Sequence, residues 1–525
     1  MEIFDSHGRA CDPGAPLTAR AASMSKSSIP VVDIFAGAGG LGEGFEALGG
    51  GNRFHVALSA EMDRHAVQTL RTRAFFRSFP NGEAPRSYYQ YLRGERSAPW
   101  TDDTRKMWDA AAHRACQLEL GRIDHDRYLD ERIAAIAEDA KRRQRPWVLV
   151  GGPPCQAFSL VGRARNRGIA DYVPENDGRH FLYQHYLHIL ARHKPAAFVL
   201  ENVKGMLSSQ VGGAHIFKAI FDQLHLPGGA NGPRYRIEPL VKPTGSGWQP
   251  KDFIVRGERL GLPQTRHRVI LIGVRSDVPS ITPLADDHEP VHLSQMLRGV
   301  PELRSSSTTE KIDSWPRFAA RCLAQCSDYA KDVDTATAKH LKSLVPQVRD
   351  GLDLGTGGRW MEWFEAPRYP KHLHALMRDP KVDGMVQHET RPHMTRDLLR
   401  YAYAAAFAQV HDRSPRGAQE FPADLHPKHR SWASAKAFVD RFKVQRSEAP
   451  SSTITSHLAK DGHYFIHPDP TQMRSLTVRE AGRLQTFPDN FLFEGPAGAQ
   501  RRQVGNAVPP WLGHQVASVL SNVLS

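Results

Sequence analysis

Residues 151–159 read GGPPCQAFS and directly follow an apolar run, WVLV (147–150). A cysteine behind two glycines and two prolines, at the end of what reads as a buried strand, is not an ordinary core thiol. Pro153 and Pro154 lock φ and stiffen the approach, so the Cys155 sulfur is held at one angle. Such rigidity suits a nucleophile that must meet its target in one geometry. A structural thiol in a tight loop is the alternative for a cysteine taken alone. Two further groups could join it in chemistry. Glu201 closes the apolar run AAFVLEN (196–202), and Arg266 and Arg268 alternate in QTRHR (264–268), a spacing that predicts one shared strand face.

A second constellation suits a cofactor. VVDIFAGAGGLGEGF (31–45) reads as strand, glycine loop and helix. Glycines let backbone approach a ligand closely, and the following helix offers free N–H groups. Glu61, in SAEMD at the end of the next apolar run, stands where an acid accepts hydrogen bonds from a ribose. The loop alone fits any nucleotide-bearing cofactor, NAD included, or a purely structural turn. Its glycines, at 37, 39 and 40, depart from Gly-x-Gly-x-x-Gly, and Asp33 and Phe35 suit a pyrophosphate poorly. A cationic cofactor without phosphates fits better, and the loop points to S-adenosyl-L-methionine.

These groups must be carried by something, and the runs around them predict it. VVDIF (31–35), FHVALSA (54–60), WVLVG (147–151), AAFVLEN (196–202) and VILIGV (269–274) alternate with helical patterns such as FLYQHYLHILARH (181–193). That alternation predicts an α/β fold, a Rossmann-like sheet with helices on both faces. Region 71–145 reads as a polar, helical elaboration at the sheet edge. After Arg275 the pattern breaks down, with a helix predicted over 395–410 and a hairpin at KDGH (460–463). Helical patterns return over 476–487 and 503–524. The predicted organisation is a disordered leader (1–29), a catalytic domain (30–275), a smaller irregular domain (276–470) and a C-terminal segment (471–525) returning to the catalytic domain. Met24 is a candidate start, just ahead of the first ordered run.

Composition narrows the class. The 525 residues carry a formal charge of +13, which favours a polyanionic partner. No apolar stretch approaches the roughly 20 residues that span a bilayer, so no membrane role is expected. Five scattered cysteines exclude a disulfide framework, and the chain reads as cytoplasmic and reduced. Cys322 and Cys326 share a helix face without a second pair to complete a zinc site. No metal is expected.

Five motifs in this order, VVDIFAGAGG, GGPPCQAFS, FVLENVKGM, QTRHRVILIGV and QVGNAVPP, resemble the cytosine-5 DNA methyltransferase family of restriction–modification type. The resemblance covers about residues 30–275 and 447–525. It implies that Cys155 adds to carbon 6 of a flipped cytosine, so that carbon 5 can take the methyl group of S-adenosylmethionine. It implies that Glu201 binds N3 and the amino group, and that Arg266 and Arg268 hold the base and its phosphate. On the cofactor side it assigns Phe35, Gly37, Gly39 and Gly40 to the methionine and adenosine, Glu61 to the ribose and Met62 to the adenine. Pro154 lines that pocket, and Asn506 and Val508 complete it. The third-strand acid of the family is missing in clear form; Asp124 in ELGRID is the nearest candidate.

The partner so implied is double-stranded DNA, with a cognate restriction endonuclease acting separately. One copy of each motif suffices for a monomer. VGRARNRG (161–168), with Arg163, Arg165 and Arg167, resembles the family's mobile loop. Sequence choice is expected in 276–446, where the family places its variable recognition domain. Arg391 to Arg446 carries eleven Lys/Arg against five Asp/Glu. APSSTIT (449–455), with Thr453, matches the segment that braces that domain. Two other readings stand beside this one. The first is a tRNA cytosine-5 methyltransferase on the same scaffold, which the long insert over 276–446 argues against. The second is a catalytically silent DNA-binding regulator, which intact Cys155 and Glu201 argue against. An NAD oxidoreductase would leave Cys155 and Glu-Asn-Val without a purpose.

Overall fold

A computed structural model describes residues 28–80, 83–153, 182–208, 210–211, 214–242, 248–363, 365–428, 432 and 440–524. Cys155, Pro154 and the arginines of 161–168 lie outside the described residues, as does the leader up to residue 27.

The sheet is built from β1 (Ile29–Ile34), β2 (Phe54–Glu61), β3 (Ala115–Gln117), β4 (Val148–Gly151), β5 (Ala197–Val203), β6 (Tyr235–Glu238), β7 (Ile254–Arg256) and β8 (His267–Arg275). Their order is β3-β2-β1-β4-β5-β8-β6, with β7 also on β8. Strands β1 to β5 pair in parallel, and β8 runs antiparallel to β5, β6 and β7. The predicted runs thus became strands, but the last one reverses the sheet. The short β3 edge strand, inside the stretch read as wholly helical, has too few residues to show a period.

Strand alternation sorts the side chains between two cores. Val32, Ile34, Leu149, Phe198 and Leu200 point to one face, and Val31, Val148, Val150, Ala197, Val199, Ile270 and Ile272 to the other. The first face is covered by α3 (Ile123–Arg142) and α4 (Leu182–His193), through Tyr128, Ile133, Tyr186 and Ile189. The second is covered by α1 (Gly40–Ala47) and by α10 (Pro510–Ser521), the last helix of the chain. Helix α2 (Arg64–Phe76) follows β2. Because β1 lies between β2 and β4, the crossovers diverge at β1. A doubly wound sheet opens its crevice there, beyond the carboxyl ends of β1 and β4.

Beyond Arg275, α5 (Trp315–Ala330), α6 (Thr335–Arg349) and α7 (Thr395–His411) form a separate apolar cluster. Cys322 and Cys326 are buried in it, and the Cys326 thiol lies 3.3 Å from the Leu399 carbonyl. Burial pushes the Cys322 thiol up to about 12, so it is an inert core group. A two-stranded antiparallel sheet, Gly357–Glu362 with Gly384–Glu389, packs its aromatic side chains against residues 75–108 of the edge elaboration. The hairpin predicted at KDGH is not formed. Ser451–Ser452 instead pairs in parallel with Gln264–Thr265, a short turn of helix occupies Ser456–Ala459, and Gly462 turns the chain at φ +78. The C-terminal pattern splits into α8 (Val478–Leu484), α9 (Ala497–Asn506) and α10, with Pro509 and Pro510 separating the last two.

Candidate active site

Two strand ends and the returning C-terminus meet at the crevice. At the end of β1, Phe35 takes φ +56, a value rare outside glycine and typical of held functional loops. Gly37 (φ +55) and Gly39 (φ +80) continue the left-handed turn, and Gly39 caps α1. Gly40 serves a different need. A Cβ there would lie 2.0 Å from the Val508 carbonyl oxygen, so only glycine admits the C-terminal segment. Gly44 and Gly513 repeat the device one turn on, letting α1 and α10 touch backbone to backbone. The expected neighbours Gly40 and Val508 are therefore brought together, with Asn506 exposed beside them.

Glu61, the last residue of β2, faces the same loop. Its Oε2 accepts the Gly37 N–H at 2.9 Å, and its Oε1 accepts the N–H groups of Met62 and Asp63, both at 2.9 Å. Three backbone donors fix the carboxylate, which has about four acceptor positions, so one stays available for a hydroxyl. Met62 is 61% exposed, and Ile123, beyond β3, is 88% exposed. Both are bare apolar side chains that follow adjacent parallel strands. Asp124 pairs with Arg122 at 3.1 Å, so that carboxylate is engaged by its own neighbour.

Asp33, two residues before Phe35, lies under the loop. Burial pushes its carboxyl up to about 8, partly offset by the Gly42 N–H and reinforced by Glu61. Its Oδ2 has no hydrogen-bond partner among the described residues. It faces a cavity of about 30 Å³ that Ser59, Glu43, Glu46 and Arg114 also line. Glu43, in the first turn of α1, is buried against Arg73 of α2 at 2.6 Å; burial opposes its charge, but Arg73 and Arg77 outweigh it and hold it at about 2.

The second group of residues forms at β4, β5 and β8. Glu201 is on β5 opposite Ile270, and Arg268 on β8 is two residues along the same face. Arg268 Nε and Glu201 Oε1 form an ion pair at 2.9 Å, and the two side chains are 14% and 13% exposed. Gly152, one residue past β4, leaves room for that carboxylate: a Cβ there would sit 2.9 Å from Glu201 Oε2. Asn202, which sequence reasoning passed over, reaches the other way. Its Nδ2 donates to the Pro153 carbonyl at 3.3 Å, and its Oδ1 accepts the Val203 N–H at 2.9 Å. The Glu-Asn-Val element thereby grips the chain two residues before Cys155.

Arg266 does not stand beside Arg268 on one open face. The strand is interrupted between Thr265 and His267, which cancels the alternation, and Arg266 turns inward to 2% exposure. Its Nη1 donates to the Ile454 carbonyl and its Nη2 to the Ala507 carbonyl, each at 2.8 Å. Burial, then Arg268, pulls its pKa well down, while Glu201 opposes the shift. It acts as a rivet between β8 and the returning segments. Gln264 does the same work, donating to the Leu484 carbonyl and the Gln485 amide oxygen and accepting the Ile454 N–H. Thr453 closes the seam through the Thr265 carbonyl at 2.7 Å. The signal for Gln264 and Arg266 was their place beside a strand. What no sequence rule told was that their partners, Ile454, Leu484 and Ala507, lie so far along the chain.

A doubly wound sheet with a glycine loop, an acid held at the end of β2 and a carboxylate–arginine pair, beside the residue that leads into the Pro-Cys segment, has the fold of a Rossmann-like methyltransferase. The family profile described as C-5 cytosine-specific DNA methylase matches residues 131–522. The chain belongs to that family and is an enzyme of its class, a DNA (cytosine-5-)-methyltransferase. It is 29% identical to the type II methyltransferase M.Bpa9945I of Bacillus paralicheniformis, over 94% of this chain and 99% of the relative. It is 26% identical to the DNA (cytosine-5-)-methyltransferase M.ApeKI of Aeropyrum pernix, over 95% and 99%. In fold it resembles a crystal structure described as a DNA modification methyltransferase encoded within an E. coli prophage, with a TM-score of 0.51 at 18% identity, covering 94% of this chain and 99% of that one. No helix among the described residues is long and apolar enough to cross a membrane, and among them no group of His, Cys, Asp and Glu could hold a metal ion.

Proposed function

We propose that the chain methylates carbon 5 of a flipped cytosine within a specific duplex sequence, as the modification half of a type II restriction–modification or related defence system. Its partner endonuclease would act separately, and the enzyme would work in the cytoplasm as a monomer. The observation that carries this reading is the Glu201–Arg268 pair, set beside Asn202's grip on the residue two before Cys155. S-adenosyl-L-methionine, held by Phe35, Gly37, Gly39, Gly40, Glu61, Met62, Pro154, Asn506 and Val508, supplies an electrophilic methyl group when bound.

Carbon 5 of cytosine is too weak a nucleophile to take that methyl unaided. Addition of the Cys155 sulfur to carbon 6 makes it enamine-like. Glu201 binds N3 and the exocyclic amino group, and Arg268 fixes the orientation of that carboxylate and keeps its charge matched. After transfer, loss of the carbon-5 proton expels the Cys155 thiolate and restores the ring. The base must leave the stack for this, at a cost of a few kcal/mol. Arg266, buried on main-chain carbonyls, acts as a positioning residue, and residues 276–446 would read the sequence.

Bisulfite sequencing of DNA from a host without cytosine methylation, expressing wild type or Cys155→Ala, tests this. Protected cytosines in one recurring context, with wild type only, are expected. Soluble wild-type protein leaving no cytosine protected would refute the assignment, and methylation by Cys155→Ala would refute the covalent route.

A further inference from the structure

Helix α9 carries a buried arginine that the site above does not use. Arg501 is 8% exposed, yet among the described residues its guanidinium makes no hydrogen bond and no ion pair. Its nitrogens are not among the sealed, unpartnered atoms of the interior, so the tip of the fork stays accessible. The side chain is thus a shielded charge with an accessible tip and no protein partner, and taking a charge even partly out of water is costly.

Its surroundings make the want of a partner sharper. Arg391 is its near neighbour and carries a like charge; burial first, and then this charge, pull Arg501 down to about 10, with Glu389 opposing. Arg391 is itself committed, donating to the carbonyls of Leu458 and Ala459 at 3.2 and 2.8 Å. His393 lies within the field of Arg391, His463 and Arg501, and burial followed by these charges holds it neutral, at about 3. The two acids nearby do not answer Arg501. Glu389 is exposed and beyond ion-pair distance, and Asp461 faces Arg441 at 3.7 Å and His463 at 3.9 Å. The cluster therefore holds a surplus of positive charge around one free fork.

The cluster also has a place in the molecule. It is built where the strand Gly384–Glu389 of the insert ends, where the chain turns at Gly462, and on the helix that ends in Asn506. Gly505 of that helix packs on the backbone of Thr455 and Ser456, which seats Arg501 against the same 455–462 segment that Arg391 grips. Along α9 the rise from Arg501 to Asn506 is about 7.5 Å. The insert, the 455–462 segment and the helix that leads to Asn506 thus meet beside this arginine.

We propose that Arg501 is a phosphodiester-binding residue, its fork reserved for one backbone phosphate of the DNA strand and its orientation set by the 455–462 segment. The assignment rests on the DNA-methylating function proposed above. Guanidinium and phosphate match in a bidentate geometry, and such a contact positions the duplex without reading its bases. Loss of one phosphate contact has a signature that structural damage lacks: the salt dependence of binding falls by about 0.9 in log–log slope, equally for specific and non-specific duplex.

The test is duplex binding by the full chain, followed by fluorescence anisotropy from about 50 to 200 mM salt, for wild type, Arg501→Gln and Arg501→Lys. Folding is followed by thermal melting and S-adenosylmethionine affinity by calorimetry. A folded glutamine variant is expected to bind roughly tenfold more weakly at low salt, with the slope reduced by about 0.9 on any sequence. The lysine variant is expected to keep the slope and bind severalfold more weakly, because a point charge replaces the fork. Wild-type slope in a folded glutamine variant overturns the assignment. Should that variant not fold, wild-type affinity in the lysine variant overturns it. Wild type that shows no methylation and no salt-dependent duplex binding would instead refute the functional reading beneath it.

Discussion

Replacing Gly40 with alanine adds one methyl group where the chain's two ends meet. The new Cβ would lie 2.0 Å from the Val508 carbonyl oxygen and 3.2 Å from the Phe487 ring. An ordinary contact needs more than about 3 Å, so residues 507–509 must retreat by about 1 Å. Overpacking of this kind costs about 1–3 kcal/mol. The retreat also strains the bond from Arg266 to the Ala507 carbonyl, a charged hydrogen bond worth about 1.5–3 kcal/mol. Alanine's better helix propensity returns at most about 1 kcal/mol. The net loss is about 1.5–5 kcal/mol, concentrated beside the Phe35–Gly40 loop. If binding S-adenosylmethionine requires the displaced segment to return, the ligand must supply that cost, and since a tenfold change corresponds to about 1.4 kcal/mol, binding should weaken at least tenfold. Gly37→Ala supplies the contrast. Its Cβ would meet nothing within 4 Å, and its penalty is the φ of +55 alone, about 1–2 kcal/mol. Hydrogen exchange of the ligand-free protein separates the two. Amides of 507–516 should exchange faster in Gly40→Ala and at wild-type rates in Gly37→Ala. Calorimetry should show the affinity loss in Gly40→Ala. Wild-type exchange together with wild-type affinity in Gly40→Ala would refute the argument that this glycine exists to admit the C-terminal segment.

Asn202→Ala removes the bond that holds Pro153; methylation measured with tritiated cofactor should drop at least tenfold, with cofactor affinity and melting temperature near wild type. Glu201→Gln keeps the size of the side chain beside Arg268 but removes its charge; it should unfold within about 1–3 kcal/mol of wild type, while single-turnover methylation becomes undetectable; rates near wild type would deny Glu201 its role on the base. Asp33 gives a pH test. Its folded pKa, raised by burial to about 8 from 3.8, means that the folded state keeps its proton where the unfolded chain has lost it. Asp33 therefore stabilises fully only below about pH 4, and the benefit drains away as pH rises towards 8. Asp33→Asn should lose this slope, so its stability advantage over wild type in urea should widen by about 4 kcal/mol between pH 5 and 8. A difference that stays constant with pH would show that Asp33 ionises normally.

The parallel strands were legible because each is a short apolar run ended by glycine, proline or an acid, and the site residues stand at those ends. Position alone predicted that the Gly37 loop and Glu61 would meet, and they do so through one hydrogen bond. Glu201 and Arg268 were legible as strand residues near apolar runs, although the antiparallel direction of β8, which makes them neighbours, was not. Arg266 was misplaced because alternation assumes an unbroken strand, and the strand breaks beside it to pair Gln264–Thr265 with Ser451–Ser452. The hairpin read at KDGH failed for a related reason. Gly462 does turn the chain, and the Phe465 N–H closes that turn on the Gly462 carbonyl, but Ile466 and His467 then donate to the carbonyls of Lys443 and Arg474, and Phe465 accepts from Leu476, so no second strand forms against 455–460.

What sequence rules miss here is contact between distant parts of the chain, and glycine and main-chain carbonyls record most of it. Gly40, Gly44 and Gly513 read as flexibility in a sequence, yet each is a place where two backbones touch. Arg266 read as a site residue on an open strand face and Arg391 as part of a basic stretch, yet both forks end on carbonyls of the 454–459 segment, and Arg266 also on Ala507. Residues 454–459 therefore stand at the joint between β8, the insert and the last two helices. A segment held from three sides transmits position: the place of the insert relative to Glu201 depends on the same carbonyls that seat Ala507 and, through it, Val508 against the cofactor loop. This joint, more than any single residue of the insert, is where sequence reading would be coupled to chemistry.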